Sequence, residues 1–215
     1  MIKIIPAINA DNFEEIKEKI KLLESIKLVD WIQLDVADGT LTKNTIWHNS
    51  SDLLNLKTNL NIEVHLMIND IERRVEDWLL PNVKRVIFHI EKCKDPDFVI
   101  KRLREACKEI GVAIGPETSW TKLSPFKNRA DIFQILGVKP GLPGQKIQEE
   151  TFEKIKNLRE HCRLCIIEVD GGVNKENAKR VVDAGANILV AATAIFSSME
   201  ANIKDNIKNL YGSLE

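Results

Sequence analysis

The sequence predicts an α/β chain folded as a (β/α)8 TIM barrel, and three observations carry that reading. Apolar runs of strand length alternate with charged segments of helical period along the whole chain, eight runs in all. Several of these runs place carboxylates, histidine or glycine-rich turns at their C-terminal ends, the edge where barrels and open parallel sheets gather their chemistry. No Pro/Gly/Ser-rich linker or low-complexity tract interrupts the sequence, so residues 1–215 are read as one barrel domain. A doubly wound open sheet is the alternative with the same alternation.

In chain order the strands are expected at Ile2–Ile8, Trp31–Val36, Asn61–Met67, Arg85–His89, Val112–Ile114, Asp131–Leu136, Leu164–Val169 and Ile188–Ala191. The second is the most informative. Ile32, Leu34 and Val36 alternate with Gln33, Asp35 and Ala37, the period of a strand with two different faces, and Asp38-Gly39 marks the turn that ends it. Helical periodicity covers Asn12–Ser25, Asp70–Leu79, Asp97–Ile110, Gln148–His161, Lys175–Ala184 and Ser197–Tyr211. Capping residues open several of them, as in Asp11-Asn12-Phe13-Glu14 and Asn174-Lys175-Glu176-Asn177.

Composition narrows the function classes. With 44% hydrophobic and 29% charged residues the chain reads as globular, and no run approaches the roughly 18 apolar residues of a membrane helix. The opening Met1-Ile2-Lys3-Ile4-Ile5-Pro6 has no signal-peptide pattern, so a cytoplasmic protein without a membrane partner is expected. Lysine plus arginine (31) nearly cancels aspartate plus glutamate (32), which leaves no global field to draw in nucleic acid; an anionic small molecule needs a local site. Cys93, Cys107, Cys162 and Cys165 make no disulfide framework in a chain of this size. The lone CxxC, Cys162 and Cys165, has no second pair at zinc spacing and is read as structural.

The strand ends supply the chemistry. Asp35 lies near the end of the second strand, and His65 shares a face of the third with Glu63, one step below Met67. His89 and Glu91, at the end of the fourth, are read as structural or surface residues. The seventh ends in Asp170-Gly171-Gly172, a carboxylate followed by glycines that leave backbone NH groups open to an anion. The sixth runs into Lys139-Pro140-Gly141-Leu142-Pro143-Gly144-Gln145 and the eighth into Ala191-Ala192-Thr193-Ala194. Loops after the last two strands of a barrel often bind phosphate, which makes Gly171, Gly172 and Thr193 candidates.

The series Ile4-Ile5-Pro6, Asp35-Val36-Ala37-Asp38-Gly39, Val64-His65-Leu66-Met67, Pro140-Gly141-Leu142-Pro143-Gly144-Gln145, Glu168-Val169-Asp170-Gly171-Gly172-Val173 and Ala194-Ile195-Phe196 resembles, in order and spacing, the ribulose-phosphate 3-epimerase family. The resemblance implies an isomerase that inverts C3 of a phosphorylated ketose, ribulose 5-phosphate or a relative, with Asp35 and Asp170 exchanging the proton and a divalent metal stabilising the enediolate. It further implies phosphate and substrate contacts from Gly141, Gly144, Gly171, Gly172, Ala192 and Thr193, an active centre lined by Ala7, Met67 and Leu136, and a chain that associates with itself as a homo-oligomer.

Against the family pattern, one metal-binding histidine is Gln33, leaving His65, Asp35 and Asp170. A glutamine carbonyl is a weaker donor than imidazole, so a weak or absent site for zinc, iron, manganese or magnesium is expected. Ala7 replaces a serine, Ala37 and Leu136 replace methionines, Ala192-Thr193 replaces Gly-Ser, and Pro143 removes a loop NH. Lys139 is read as a solvated surface residue. The alternatives are another sugar-phosphate enzyme on the same barrel with little metal dependence, and a non-catalytic descendant that binds a phosphometabolite.

Overall fold

The structure, a computed structural model, describes residues 2–141, 144–197 and 202–214. Strands β1 (Lys3–Ile8), β2 (Trp31–Ala37), β3 (Asn61–Met67), β4 (Val83–His89), β5 (Glu109–Ile114), β6 (Ile132–Leu136), β7 (Ile166–Asp170) and β8 (Ile188–Ala191) pair in sequence order into a closed parallel barrel. It closes where Lys3 to Pro6 of β1 align with Ile188 to Ala191 of β8. This is the barrel the alternation predicts, and it excludes the open sheet.

The alternation on β2 has a consequence for both faces. Ile32, Leu34 and Val36 point outward into the main apolar cluster, whereas Gln33 and Asp35 point into the barrel, and all seven residues of the strand are buried. Helix α1 (Phe13–Ile26) covers part of that outer cluster with Ile16, Ile20 and Leu23, spaced to fall on one helical face. Asn12 caps it, its Oδ1 accepting from the Glu15 NH at 3.0 Å.

Several connections differ from the periodic reading. Helix α2 (Ile71–Arg74) gives way to a 3-10 turn at Val75–Trp78, and the β2–β3 and β5–β6 connections carry only 3-10 turns at Ser50–Asn55 and Trp120–Phe126. Helix α3 (Pro96–Glu105) stops short of the expected Ile110. Cys107 adopts φ 55°, and the Lys108 NH turns back to the Leu103 carbonyl at 3.0 Å, which frees Glu109 and Ile110 to pair with Arg85 and Val86 on β4. Helices α4 (Glu149–His161) and α5 (Ala178–Asp183) follow β6 and β7. The short α6 (Thr193–Phe196) begins directly after β8, before α7 (Ile203–Gly212). Of the helix expected at Ser197–Tyr211, residues 198–201 lie outside the described residues, as do Leu142 and Pro143 of the β6 loop. Cys162 and Cys165 are joined in a disulfide between α4 and β7. Among the described residues no helix is long and apolar enough to cross a membrane.

Inside the barrel the filling is divided. Two separate apolar clusters line it, Ile5, Ala7, Trp31, Ile188 and Val190 from β1, β2 and β8, and Ile87, Ala113 and Ile132 from β4, β5 and β6. The remainder is a column of polar groups. At its foot the Arg85 guanidinium lies 4.2 Å from the Trp31 ring centre and binds Glu63 at 2.5 Å and Glu109 at 2.7 Å, with Glu168 3.6 Å away. Above it the Gln134 amide NH2 reaches Glu168 at 3.0 Å and Gln33 at 2.9 Å. Burial lifts the Glu168 carboxyl to about 7 against the pull of Arg85, and pushes Glu63 well above the carboxylate range, with the Glu168 charge adding to it.

Gly111 of β5 sets the width of the barrel beside this column, since a Cβ there would lie 2.6 Å from Ile87 Cγ1 and 3.2 Å from Ile132 Cγ1. Gly111→Val is expected to cost about 1–3 kcal/mol by overpacking. Urea unfolding checks this, and an unchanged midpoint would contradict the tight interior contact.

Candidate active site

The C-terminal mouth holds a cavity of about 250 Å³ with Asp35, His65 and Asp170 in its lining. Strand register brings these residues together: Asp35 is level with His65 across β2 and β3, and Asp170 with Leu136 across β7 and β6. Asp35 and Asp170 are 8% and 7% exposed and His65 is fully buried, so two carboxylates share a site largely withdrawn from bulk solvent. Asp38, three residues beyond Asp35, belongs elsewhere: its carboxylate is taken by Thr40 and Arg74.

Gln33 is fully buried beneath this group. Its side-chain nitrogen donates to Asp35 Oδ1 at 2.7 Å and to Asp170 Oδ2 at 2.9 Å, and lies 3.5 Å from His65 Nδ1. Its Oε1 accepts from Gln134 Nε2 at 2.9 Å. The orientation follows from the partners. Turning the amide over would gain the His65 Nδ1 proton as a donor but would set its oxygen against two carboxylate oxygens and its NH2 against the Gln134 NH2, and each unmade buried hydrogen bond costs about 1–3 kcal/mol. Among the described residues no hydrogen bond engages Asp35 Oδ2 or Asp170 Oδ1. Each carboxylate is therefore tied through one oxygen and keeps the other without a protein donor.

The histidine protons follow from the same contacts. His65 Nδ1 lies 3.4 Å from Asp35 Oδ1 and 3.2 Å from Asp170 Oδ2, so it carries a proton. His65 Nε2 is 2.9 Å from His89 Nε2, and His89 Nδ1 is 3.4 Å from Glu91 Oε2. With a proton on His89 Nδ1 facing Glu91, His89 Nε2 accepts from His65 Nε2, and His65 is an imidazolium. Burial works against that charge, yet the hydrogen bonds and charges of Asp170 and Asp35 raise His65 to about 10. Burial lowers His89, which stays neutral, and Glu91 is held down to about 2 because the bond from His89 outweighs its burial. Burial also raises the Asp35 carboxyl, with the Asp170 charge adding to it against the hydrogen bonds from His65 and Gln33. His89 and Glu91 thus support the site rather than serve only the surface or scaffold.

The remaining sequence candidates are placed as follows. Met67, Leu136, Gly141, Gly144, Gly171, Gly172, Ala192 and Thr193 all line the cavity. Gly171 and Gly172 have φ of 90° and 77°, and a Cβ on Gly172 would lie 2.5 Å from the Ile147 nitrogen, so the turn after β7 requires glycine. Ala7 does not line the cavity. It is fully buried in the apolar cluster with Ile5 and Val190. Lys139 pairs with Glu117 at 3.0 Å, both largely exposed, although it also borders the mouth. Gln134 carried no distinguishing sequence signal. His89 and Glu91 did, as two titratable residues of the same parity at a strand end.

Asp35, His65 and Asp170 each offer one ligand atom within 4.8 Å of the others, a grouping able to hold a metal ion. The sequence suggested that Gln33 could add a carbonyl oxygen, and its observed orientation contradicts this: the oxygen is committed to Gln134, and a donor group with no free electron pair points into the centre. Asp35, His65 and Asp170 thus carry ligand atoms of a suitable type, but with the Gln33 NH2 directed at them the four side chains together, as folded, do not fit a divalent cation.

A closed parallel barrel with a buried carboxylate pair at its C-terminal mouth is the architecture of a (β/α)8 barrel enzyme. A sequence model of the Ribulose-phosphate 3 epimerase family matches residues 3–196, and the chain belongs to that family. The ribulose-phosphate 3-epimerase of Chlamydia muridarum is 34% identical over 188 residues, covering 84% of this chain and 82% of the relative. That of Bacillus subtilis is 32% identical over 219 residues, 99% of this chain and 100% of the relative. Among solved structures, a mutant tryptophan synthase alpha-subunit from Pyrococcus furiosus matches with a TM-score of 0.70 at 15% identity, over 99% of this chain and all (100%) of the other, a likeness of fold alone.

His65 is expected to remain protonated through neutral pH. Its folded value of about 10 exceeds its ordinary 6.5, so the stability it contributes is complete below pH 6.5 and is lost as pH rises through about 10. Nitrogen NMR of the histidine rings checks the charge; a neutral His65 tautomer at neutral pH would contradict the proton assignment.

Proposed function

We propose that this chain is an epimerase that inverts C3 of a phosphorylated ketose, ribulose 5-phosphate and xylulose 5-phosphate or a close relative, with Asp35 and Asp170 as the proton-transfer pair. The observation that carries this reading is the pair of carboxylates on β2 and β7, each tied through one oxygen and free at the other, in the lining of one cavity. Family membership and the epimerase names of the relatives support the substrate class.

Inverting a carbon next to a carbonyl requires a base on one face and an acid on the other, which a single carboxylate cannot supply. Asp35 and Asp170 come from separate strands and serve opposite faces: one takes the C3 proton, and the other returns a proton to the planar enediolate. Burial raises the Asp35 carboxyl and so narrows the gap between it and a weakly acidic carbon. The enediolate is an anion in a cavity whose carboxylates are nearly buried, and the His65 imidazolium is the positive charge beside it. The substrate phosphate is assigned to the backbone of the Gly171-Gly172 turn and of Ala192 and Thr193 at the start of α6, with Gly141 and Gly144 in the same cavity lining.

In deuterated water, the protein is expected to exchange the C3 hydrogen of D-ribulose 5-phosphate and form xylulose 5-phosphate. Asp35→Asn and Asp170→Asn should each lower that exchange by about 10²–10⁴-fold without unfolding the barrel. Undiminished exchange in both variants would remove these residues from the chemistry.

A further inference from the structure

The three potential ligand residues Asp35, Asp170 and His65 are all reached by one protein group. The Gln33 side-chain nitrogen lies within 3.5 Å of one atom from each: 2.7 Å from Asp35 Oδ1, 2.9 Å from Asp170 Oδ2 and 3.5 Å from His65 Nδ1. Two further features fix it there. Gln134 spans the next layer, donating to Gln33 Oε1 at 2.9 Å and to Glu168 Oε1 at 3.0 Å, so for Gln33 to present its oxygen Gln134 must turn as well and give up its bond to Glu168. Gln33 and Gln134 are both fully buried, so bulk solvent does not reach the rotated form.

We propose that the Gln33 carboxamide nitrogen is the built-in counterpart of a metal ion in this chain: a positioning group that holds the inner oxygens of both carboxylates and leaves the site independent of divalent cations. Two adjacent carboxylates repel, and a cation is one way to hold them in a small volume. A neutral NH2 with two hydrogens, one for each carboxylate, is another. It supplies geometry where a metal would supply both geometry and charge, and His65 is itself backed on its far side by His89 and Glu91. This inference rests on the proposed epimerase reading for its catalytic meaning, but the binding prediction stands on geometry alone.

The test uses the full chain and its Gln33→His and Gln33→Glu variants. Metal analysis after purification, zinc and manganese titrations by calorimetry, and melting with and without manganese chloride are each read independently of activity. The parent is expected to carry no stoichiometric metal, to show no binding heat and to melt at the same temperature with or without manganese. Gln33→His should take up stoichiometric zinc. Gln33→Glu places a third carboxylate oxygen where the NH2 was, so its melting temperature should rise by about 5–10 °C when manganese exceeds its dissociation constant a hundredfold. If Gln33→His fails to fold, the glutamate variant still reads the centre.

Hydrogen exchange at C3 by the parent should also survive chelation unchanged. A parent that holds stoichiometric metal, or that loses exchange on chelation and regains it with zinc or manganese, overturns the proposal. A parent that binds no metal and exchanges no ribulose 5-phosphate would count against the epimerase reading while leaving Gln33's displacement of the cation in place.

Discussion

Two like charges enclosed in a barrel need a third group between them, and here it is an amide. The hydrogen bonds from Gln33 to Asp35 and Asp170 decide which oxygens of those carboxylates remain open, and so which atoms can meet a substrate. The same bonds fix how Gln33 presents its oxygen, and through it how Gln134 and Glu168 are arranged below. Replacing either glutamine with an apolar residue would strand the groups it pairs with, in a column where Glu63 Oε1, Gln134 Oε1 and Glu168 Oε2 already make no hydrogen bond.

The column explains why the interior of this barrel is partly polar. Glu63, Glu168 and the two aspartates place four acidic groups in or near the axis, and Arg85 and His65 supply the opposing charges at the two ends. Balance is reached partly by keeping protons on: burial raises Glu63 and Glu168 above the ordinary carboxylate range. The apolar clusters, with Gly111 giving room to Ile87 and Ile132, hold the strands at the spacing the hydrogen-bonded column requires. Packing thereby sets the distances on which the electrostatics of the mouth depend.

Much of this was legible in the chain itself. Apolar runs of strand length located every strand, period-two alternation separated the two faces of β2, and the carboxylates of β2 and β7 were recognisable from the turns that follow them. The start of β5 was not, since Glu109 and Ile110 continue the periodicity of α3 and only the left-handed Cys107 separates the two elements. The role of His89 escaped because its parity with Glu91 fits a hydrogen-bonded core residue as well as a support for His65. Gln33 was seen as the departure in the ligand set, but a sequence cannot say which end of an amide faces inward. That depends on Gln134, a hundred residues away in the chain and one hydrogen bond away in space.

The most direct test of the account watches the Gln33 amide itself. In protein labelled with nitrogen-15 at glutamine side chains, the Gln33 NH2 should give two distinct, slowly exchanging proton signals that keep their intensity when paramagnetic manganese is added at parity with the protein. Loss of those signals by broadening at that concentration would place the ion among Asp35, His65 and Asp170, and would contradict the claim that the amide already fills that position.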